Sequence, residues 1–179
     1  MMVGYITSSA ISLLNFRATA EGIHTMTLWG MGSFSSVSLD RLPWFAAVSL
    51  PGLLLSVLLI KPLNALLLGD NYARNLGLSI TRTRTLLLFT TGLLTAACTA
   101  FCGPIAFIGL AVPHIARMLL GSANHRVLLP ATLLTGSCLA LACNLISTLP
   151  GDSGVIPINV ITPVIGAPVV LWVILRLEK

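Results

Sequence analysis

The chain has 179 residues, 56% of them hydrophobic and only 8% charged, with a formal net charge of +5 and a mean hydropathy of +0.97. Soluble domains carry about 25% charged residues, so this composition excludes an ordinary soluble domain and indicates an integral membrane protein. Long continuous apolar runs favour helical spans over a β-barrel, and basic residues scattered at span ends, with no aromatic-basic patch, exclude nucleic acid as a partner.

Residues 3–18 predict a first span, short and polar. It reads as a span rather than a removable leader, because no basic segment precedes it and Ser8, Ser9, Ser12 and Asn15 interrupt its apolar run. Gly4, Ser8, Ser12 and Asn15 share one face, which predicts packing against another helix or the lining of a cavity. Thr25 to Met31 reads as a short interfacial helix anchored by Trp29, followed by a glycine-serine loop. Residues 43–60 form the second span, with a kink expected at Pro51 and Gly52.

Lys61 to Arg84 is the long polar island of the chain, KPLNALLLGDNYARNLGLSITRTR. A short helix is predicted inside it, with Asp70 as its N-cap and Gly77 ending it in a left-handed turn. Asp70 and Arg74 have the i,i+4 spacing of an ion pair on one helix face. Leu67, Leu68, Tyr72 and Leu76 are left to dock onto something.

Residues 85–102 form the third span, ended by Gly103-Pro104. Residues 105–120 form the fourth, interrupted by Pro113, and 121–126 a tight polar turn. Residues 127–149 form the fifth and 150–154 a second tight turn, and 160–175 make the core of the sixth, with Pro163, Gly166 and Pro168 inside it. With six spans, one side of the membrane holds Lys61, Arg74, Arg82, Arg84, Arg117, Arg126, Arg176 and Lys179, eight basic residues, and the other only Arg17 and Arg41. The positive-inside rule then puts 61–84 and both termini in the cytoplasm.

Catalytic constellations are hard to find. The five carboxylates form no helical pair inside a span, and His24, His114 and His125 lie far apart in sequence. No phosphate-binding loop of the G-x-x-x-x-G-K-[ST] type occurs. Cys98, Cys102, Cys138 and Cys143 lie within apolar runs without a CxxC, which favours helix packing over a disulfide framework or a metal site. The chain therefore reads as a non-enzyme with no catalytic residue, metal or cofactor. Pro51, Gly103-Pro104, Pro113, Pro163, Gly166 and Pro168 suggest interrupted spans, and freed backbone groups at membrane depth are tolerated only where protein or water satisfies them. As a set they favour a pathway or hinge.

LNALLLGDNYARNLG (63–77), GPIAFIGLAVPHIAR (103–117), HRVLLP (125–130) and ITPVIGAPVVLWVI (161–174) occur in that order. In sequence and spacing they resemble the permease subunits of the iron-siderophore, haem and cobalamin importers among ABC transporters. The resemblance implies an all-α integral membrane protein of about six transmembrane helices, several broken by proline or glycine, with a cytoplasmic coupling helix. It implies a cytoplasmic ABC ATPase subunit that hydrolyses the ATP, a second permease copy forming a dimer, and an extracytoplasmic substrate-binding protein, all at a bacterial plasma membrane. Leu68, Gly69, Ala73, Leu76 and Gly77, with Asp70 and Arg74, fall at the ATPase-coupling segment. Gly103, Pro104, Gly109, Pro113, His114, Pro163, Gly166 and Pro168 are the candidates for pathway or hinge.

Family members are ten-span proteins, and the match runs from about their fifth span onward. Residues 1–179 are accordingly expected to form one transmembrane permease domain, truncated relative to such a member, with 61–84 as its coupling loop. A fragment, a late-start product or one part of a split permease would fit. Cys143 and Ser147 stand where the family often has an acidic and a basic residue, and Asn159 where glycine is common. The alternative reading is a small helical membrane scaffold that moves nothing itself. An intramembrane hydrolase is a distant third, since no nucleophile-base pair can be placed.

Overall fold

A computed structural model describes residues 2–149 and 156–177. All regular structure among them is helical: α1 (Met2–Arg17), α2 (Ala20–Gly30), a 3-10 turn (Phe34–Ser36), α3 (Leu42–Leu58), α4 (Ile60–Leu66), α5 (Asp70–Asn75), α6 (Ile80–Cys102), α7 (Ile108–Leu120), α8 (His125–Thr148) and α9 (Ile158–Leu177). The expected turn at 150–154 lies outside the described residues.

Two packed groups organise the chain. In the first, α3 lies along α6; in the second, α7, α8 and α9 pack on one another. Small residues set the approach in both, as expected where lipid gives no hydrophobic drive to pair helices. Gly52 of α3 sits so close to Leu94 of α6 that a Cβ there would overlap the leucine side chain, and Phe45 meets Phe101 edge to face at 5.4 Å. Gly136 of α8 faces Val112 of α7, and Ala111 and Ala116 of α7 are fully buried. Hydroxyls inside the helices donate to carbonyls one turn back, Thr90 to Leu86, Thr132 to Leu128 and Thr135 to Ala131. Cys102 and Cys143 are buried packing residues, whereas Cys98 and Cys138 are exposed.

Several sequence expectations shift. Among the described residues, α6 and α8 are long and apolar enough to cross a membrane. A third span appears if α3 and α4 count as one helix bent by 47°. Length and composition thus give two or three clear spans rather than six, and α7 with 13 residues is too short to cross alone. Helix α3 continues unbroken through Pro51, and a bend of 47° falls at Leu59, the joint between α3 and α4. Pro113, Pro163 and Pro168 likewise stay inside continuous helices, so the link at Gly103-Pro104 is the true interruption among these sites. The interfacial helix is longer than expected, with Thr19 as its N-cap. Gly4, Ser8 and Ser12 of α1 are exposed, so the packing expected on that face is not supplied among the described residues.

Candidate functional site

The polar island folds as two short helices. Gly69 (φ +99°), not Asp70, is the N-cap of α5, and Asp70 is its first helical residue. The left-handed turn expected at Gly77 is present, with φ +82°. Gly77 N–H donates to the Arg74 carbonyl at 2.9 Å and Leu78 N–H to the Ala73 carbonyl at 3.1 Å, the bond pair of a Schellman cap. No atom crowds either glycine, so φ alone selects the residue.

Asp70 does not pair with Arg74. Its two oxygens accept from Arg84 Nη2 at 3.1 and 2.9 Å, tying α5 to the first turns of α6. Arg84 and Asp70 are 62% and 45% exposed, so the pair steers geometry more than it stabilises. Ala73 is fully buried beneath α5. The opposite side presents Leu67, Leu68, Tyr72 and Leu76, each at least half exposed on an otherwise polar loop.

Helix α4 is fastened to α8 by one side chain. Asn64 Nδ2 donates to Asn124 Oδ1 at 2.9 Å. Asn64 Oδ1 faces His125 N–H at 2.8 Å and His125 Nδ1 at 2.9 Å. Asn124 is the N-cap of α8, its Oδ1 also accepting from Arg126 N–H. Asn64 lies in the LNALLLGD motif and His125 opens HRVLLP, directly after Asn124, but their meeting depends on a contact across 61 positions that no local pattern signals.

At the far end of α6, about 35 Å away for a helix of 23 residues, the link 103–107 is held from outside itself. Gly103 has φ +78°, and a Cβ there would collide with the Trp29 carbonyl. Asn159 Nδ2 donates to the carbonyls of Pro104 at 2.6 Å and Gly30 at 3.1 Å, and its Oδ1 accepts from Ala106 N–H at 3.0 Å. Two carbonyls and one N–H fix the orientation of the amide without ambiguity. The backbone adds Ser33 N–H to Cys102 carbonyl at 2.9 Å and Asn159 N–H to Met31 carbonyl at 3.3 Å. One carboxamide therefore clasps the end of α2, the α6–α7 link and the start of α9. Phe107 takes φ +66°, its Cβ seated against Gly166 of α9 so closely that any side chain at Gly166 would overlap it.

Of the pathway and hinge candidates, Gly103, Pro104 and Gly166 converge on this junction. Gly109, Pro113 and His114 lie on α7, and Pro163 and Pro168 on α9. Cys143 and Ser147 are both buried, and the Ser147 hydroxyl donates to the Ile156 carbonyl, whose own N–H returns to the Ser147 carbonyl at 3.0 Å. A neutral pair thus occupies the site where the resemblance implies an ion pair. Among the described residues no three of His, Cys, Asp and Glu gather as metal ligands.

The model of the FecCD transport family matches residues 1–176. The chain belongs to that family. It is similar to the vitamin B12 import system permease protein BtuC of Klebsiella pneumoniae, with 38% identity over 174 residues, covering 97% of this chain and 52% of the relative. The BtuC protein of Salmonella typhi is 36% identical over 97% of this chain and 53% of its own length. A solved inward-facing conformation of a metal-chelate type ABC transporter superposes with a TM-score of 0.82 at 34% identity, covering all of this chain and 57% of that one. The chain thus spans about half the length of the relatives it matches.

Proposed function

We propose that the chain is the membrane-spanning permease part of an ABC importer for iron chelates or cobalamin, coupling a partner's ATP hydrolysis to substrate translocation. On this reading α1, α3–α4, α6, α7, α8 and α9 all lie within the bilayer, and 61–84 and both termini face the cytoplasm of a bacterial cell. A second permease copy and an extracytoplasmic binding protein complete the complex. The observation that carries the proposal is α5: a doubly marked short helix, set on a buried alanine, that turns an apolar ridge outward from the most charged end of the chain. A ridge of that kind outside the bilayer fits a groove on a protein partner. Gly103, Pro104, Gly109, Pro113, His114, Pro163, Gly166 and Pro168 are the proposed pathway and hinge positions.

Co-purification tests it. An ATPase subunit should come down with the intact chain and be lost on deleting 66–78. Gly77→Pro, which cannot take positive φ, and Arg74→Glu should leave the protein in the membrane but uncouple hydrolysis from uptake. Normal uptake and ATPase association in both variants would count against the coupling role, and an intact chain that brings down no ATPase would favour the scaffold reading.

A further inference from the structure

We infer that the Asn64 carboxamide is the positioning joint through which movement of the α4–α5 loop reaches α8. The inference rests on the proposed reading of α5 as the ATPase contact.

Hydrogen-bond roles in this cluster are settled by the backbone. His125 N–H and Arg126 N–H can only donate, so Asn64 Oδ1 must face the first and Asn124 Oδ1 the second. Asn64 Nδ2 then donates to Asn124, and His125 Nδ1 must carry a proton to meet Asn64 Oδ1. Every contact is complementary in this arrangement and in no flipped one. The first turn of α8 is consequently capped from two places, by its own Asn124 and by Asn64 of another helix.

Mechanical consequences follow from where α4 sits. The loop is gripped between α6, through the exposed Asp70–Arg84 pair, and α8, through Asn64. Those two helices belong to different packed groups. Helix α8 continues for 24 residues, so a push at its N-cap is carried about 36 Å to the opposite end. A carboxamide with one donor and one doubly used acceptor transmits both push and pull along that line. A purely apolar contact would transmit only push.

The test uses the transporter assembled with its ATPase, Cys98→Ser in the background and a nitroxide on Cys138. Cys138 is an exposed thiol on α8, while Cys102 and Cys143 are buried. ATPase retention is scored first, and then the spectral change on trapping with ATP and vanadate. The wild type should bind the ATPase and show a nucleotide-dependent change at Cys138. Asn64→Ala should keep both the ATPase and its hydrolysis while that change falls at least about fivefold, the scale of one net hydrogen bond. Asn64→Asp sets a carboxylate against Asn124 Oδ1 and should also lose the signal. Adding Asn124→Ser, whose hydroxyl can cap Arg126 N–H and donate to the carboxylate, should restore part of it, a rescue that a merely structural role would not give. This pair also keeps the test readable if Asn64→Ala fails to accumulate. An unchanged signal in Asn64→Ala or Asn64→Asp, or none in the wild type with the ATPase bound and active, overturns the joint. Absence of the ATPase from the wild-type complex overturns the reading of α5 itself, and the joint with it.

Discussion

Asn159 makes a sharp prediction because its three side-chain bonds differ in kind. Two are donated to the Pro104 and Gly30 carbonyls, and one is accepted from Ala106 N–H. Asn159→Ala removes all three. At about 1 kcal/mol net per bond the loss would reach about 3 kcal/mol. Water replaces part of it at a half-buried site, and alanine recovers roughly half a kcal/mol of helix propensity at the second residue of α9. A net loss of about 2 kcal/mol is expected. That corresponds to a fall of about 4–8 °C in the melting temperature of detergent-solubilised protein, on the scaling of domains this size. Asn159→Asp is nearly isosteric and retains the acceptor for Ala106, yet it should be worse than alanine near neutral pH. Its carboxylate would point at two carbonyl oxygens, which outweighs the gain of about 0.3–1 kcal/mol for an acid at a helix N-terminus. Lowering the pH toward the ordinary carboxyl range near ~4 returns a proton that can be donated to Pro104, so the gap between Asp and Ala should close as pH falls. The order wild type above Ala above Asp is the test. An Asp variant as stable as wild type at neutral pH refutes the clasp.

Other substitutions follow from the same geometry. The Thr162 hydroxyl is buried in α9 with no hydrogen-bond partner among the described residues. Thr162→Val should therefore leave the melting temperature unchanged or raise it, the gain reaching about 1 kcal/mol. Gly103→Ala meets both a positive φ and the Trp29 carbonyl, so little folded protein should accumulate in membranes. Gly69→Ala meets a positive φ in open space and should accumulate, at a cost of about 1–3 kcal/mol in thermal stability. Arg84→Ala breaks an exposed ion pair and should cost no more than about 1 kcal/mol, an effect that shrinks as salt is added.

What could be read from the sequence was local or compositional. The left-handed turn at Gly77 and the break at Gly103-Pro104 were legible, because glycine at those φ values is dictated within a few residues. Membrane character followed from the charge fraction. Asp70 was misassigned as cap and as partner of Arg74, because the i,i+4 rule applies to a long isolated helix and α5 has only six residues. Arg84 reaches back from the next helix and takes the carboxylate. The proline positions misled for a similar reason. A membrane helix tolerates the loss of single N–H bonds, and α3, α7 and α9 continue through their prolines. The bonds of Asn64 and Asn159 were not legible, although Asn159 stood out where the resemblance leads one to expect glycine. Each acts on segments more than 50 positions away, and a carboxamide carries no periodic or charged signature.

Those two asparagines share a physical logic. The α3–α6 pair and the α7–α8–α9 group are tied by Asn159 at the end of α6 and by Asn64 at the start of α8, the two ends being about a bilayer apart. A charged pair in either place would carry the desolvation cost of burial, and separating it would cost several kcal/mol. A carboxamide has donors and an acceptor on one neutral group, so it can satisfy free backbone ends without a charge. Its bonds near the polar ends of helices can be exchanged for bonds to water at about 1 kcal/mol each. That is the same scale as the 1–3 kcal/mol by which coupled sites commonly bias one another. Joints of this strength can hold two helix groups in register and still be released by a partner's binding energy. Cys143 and Ser147, buried near the C-terminal end of α8, are neutral and put no charged lock there to override that exchange.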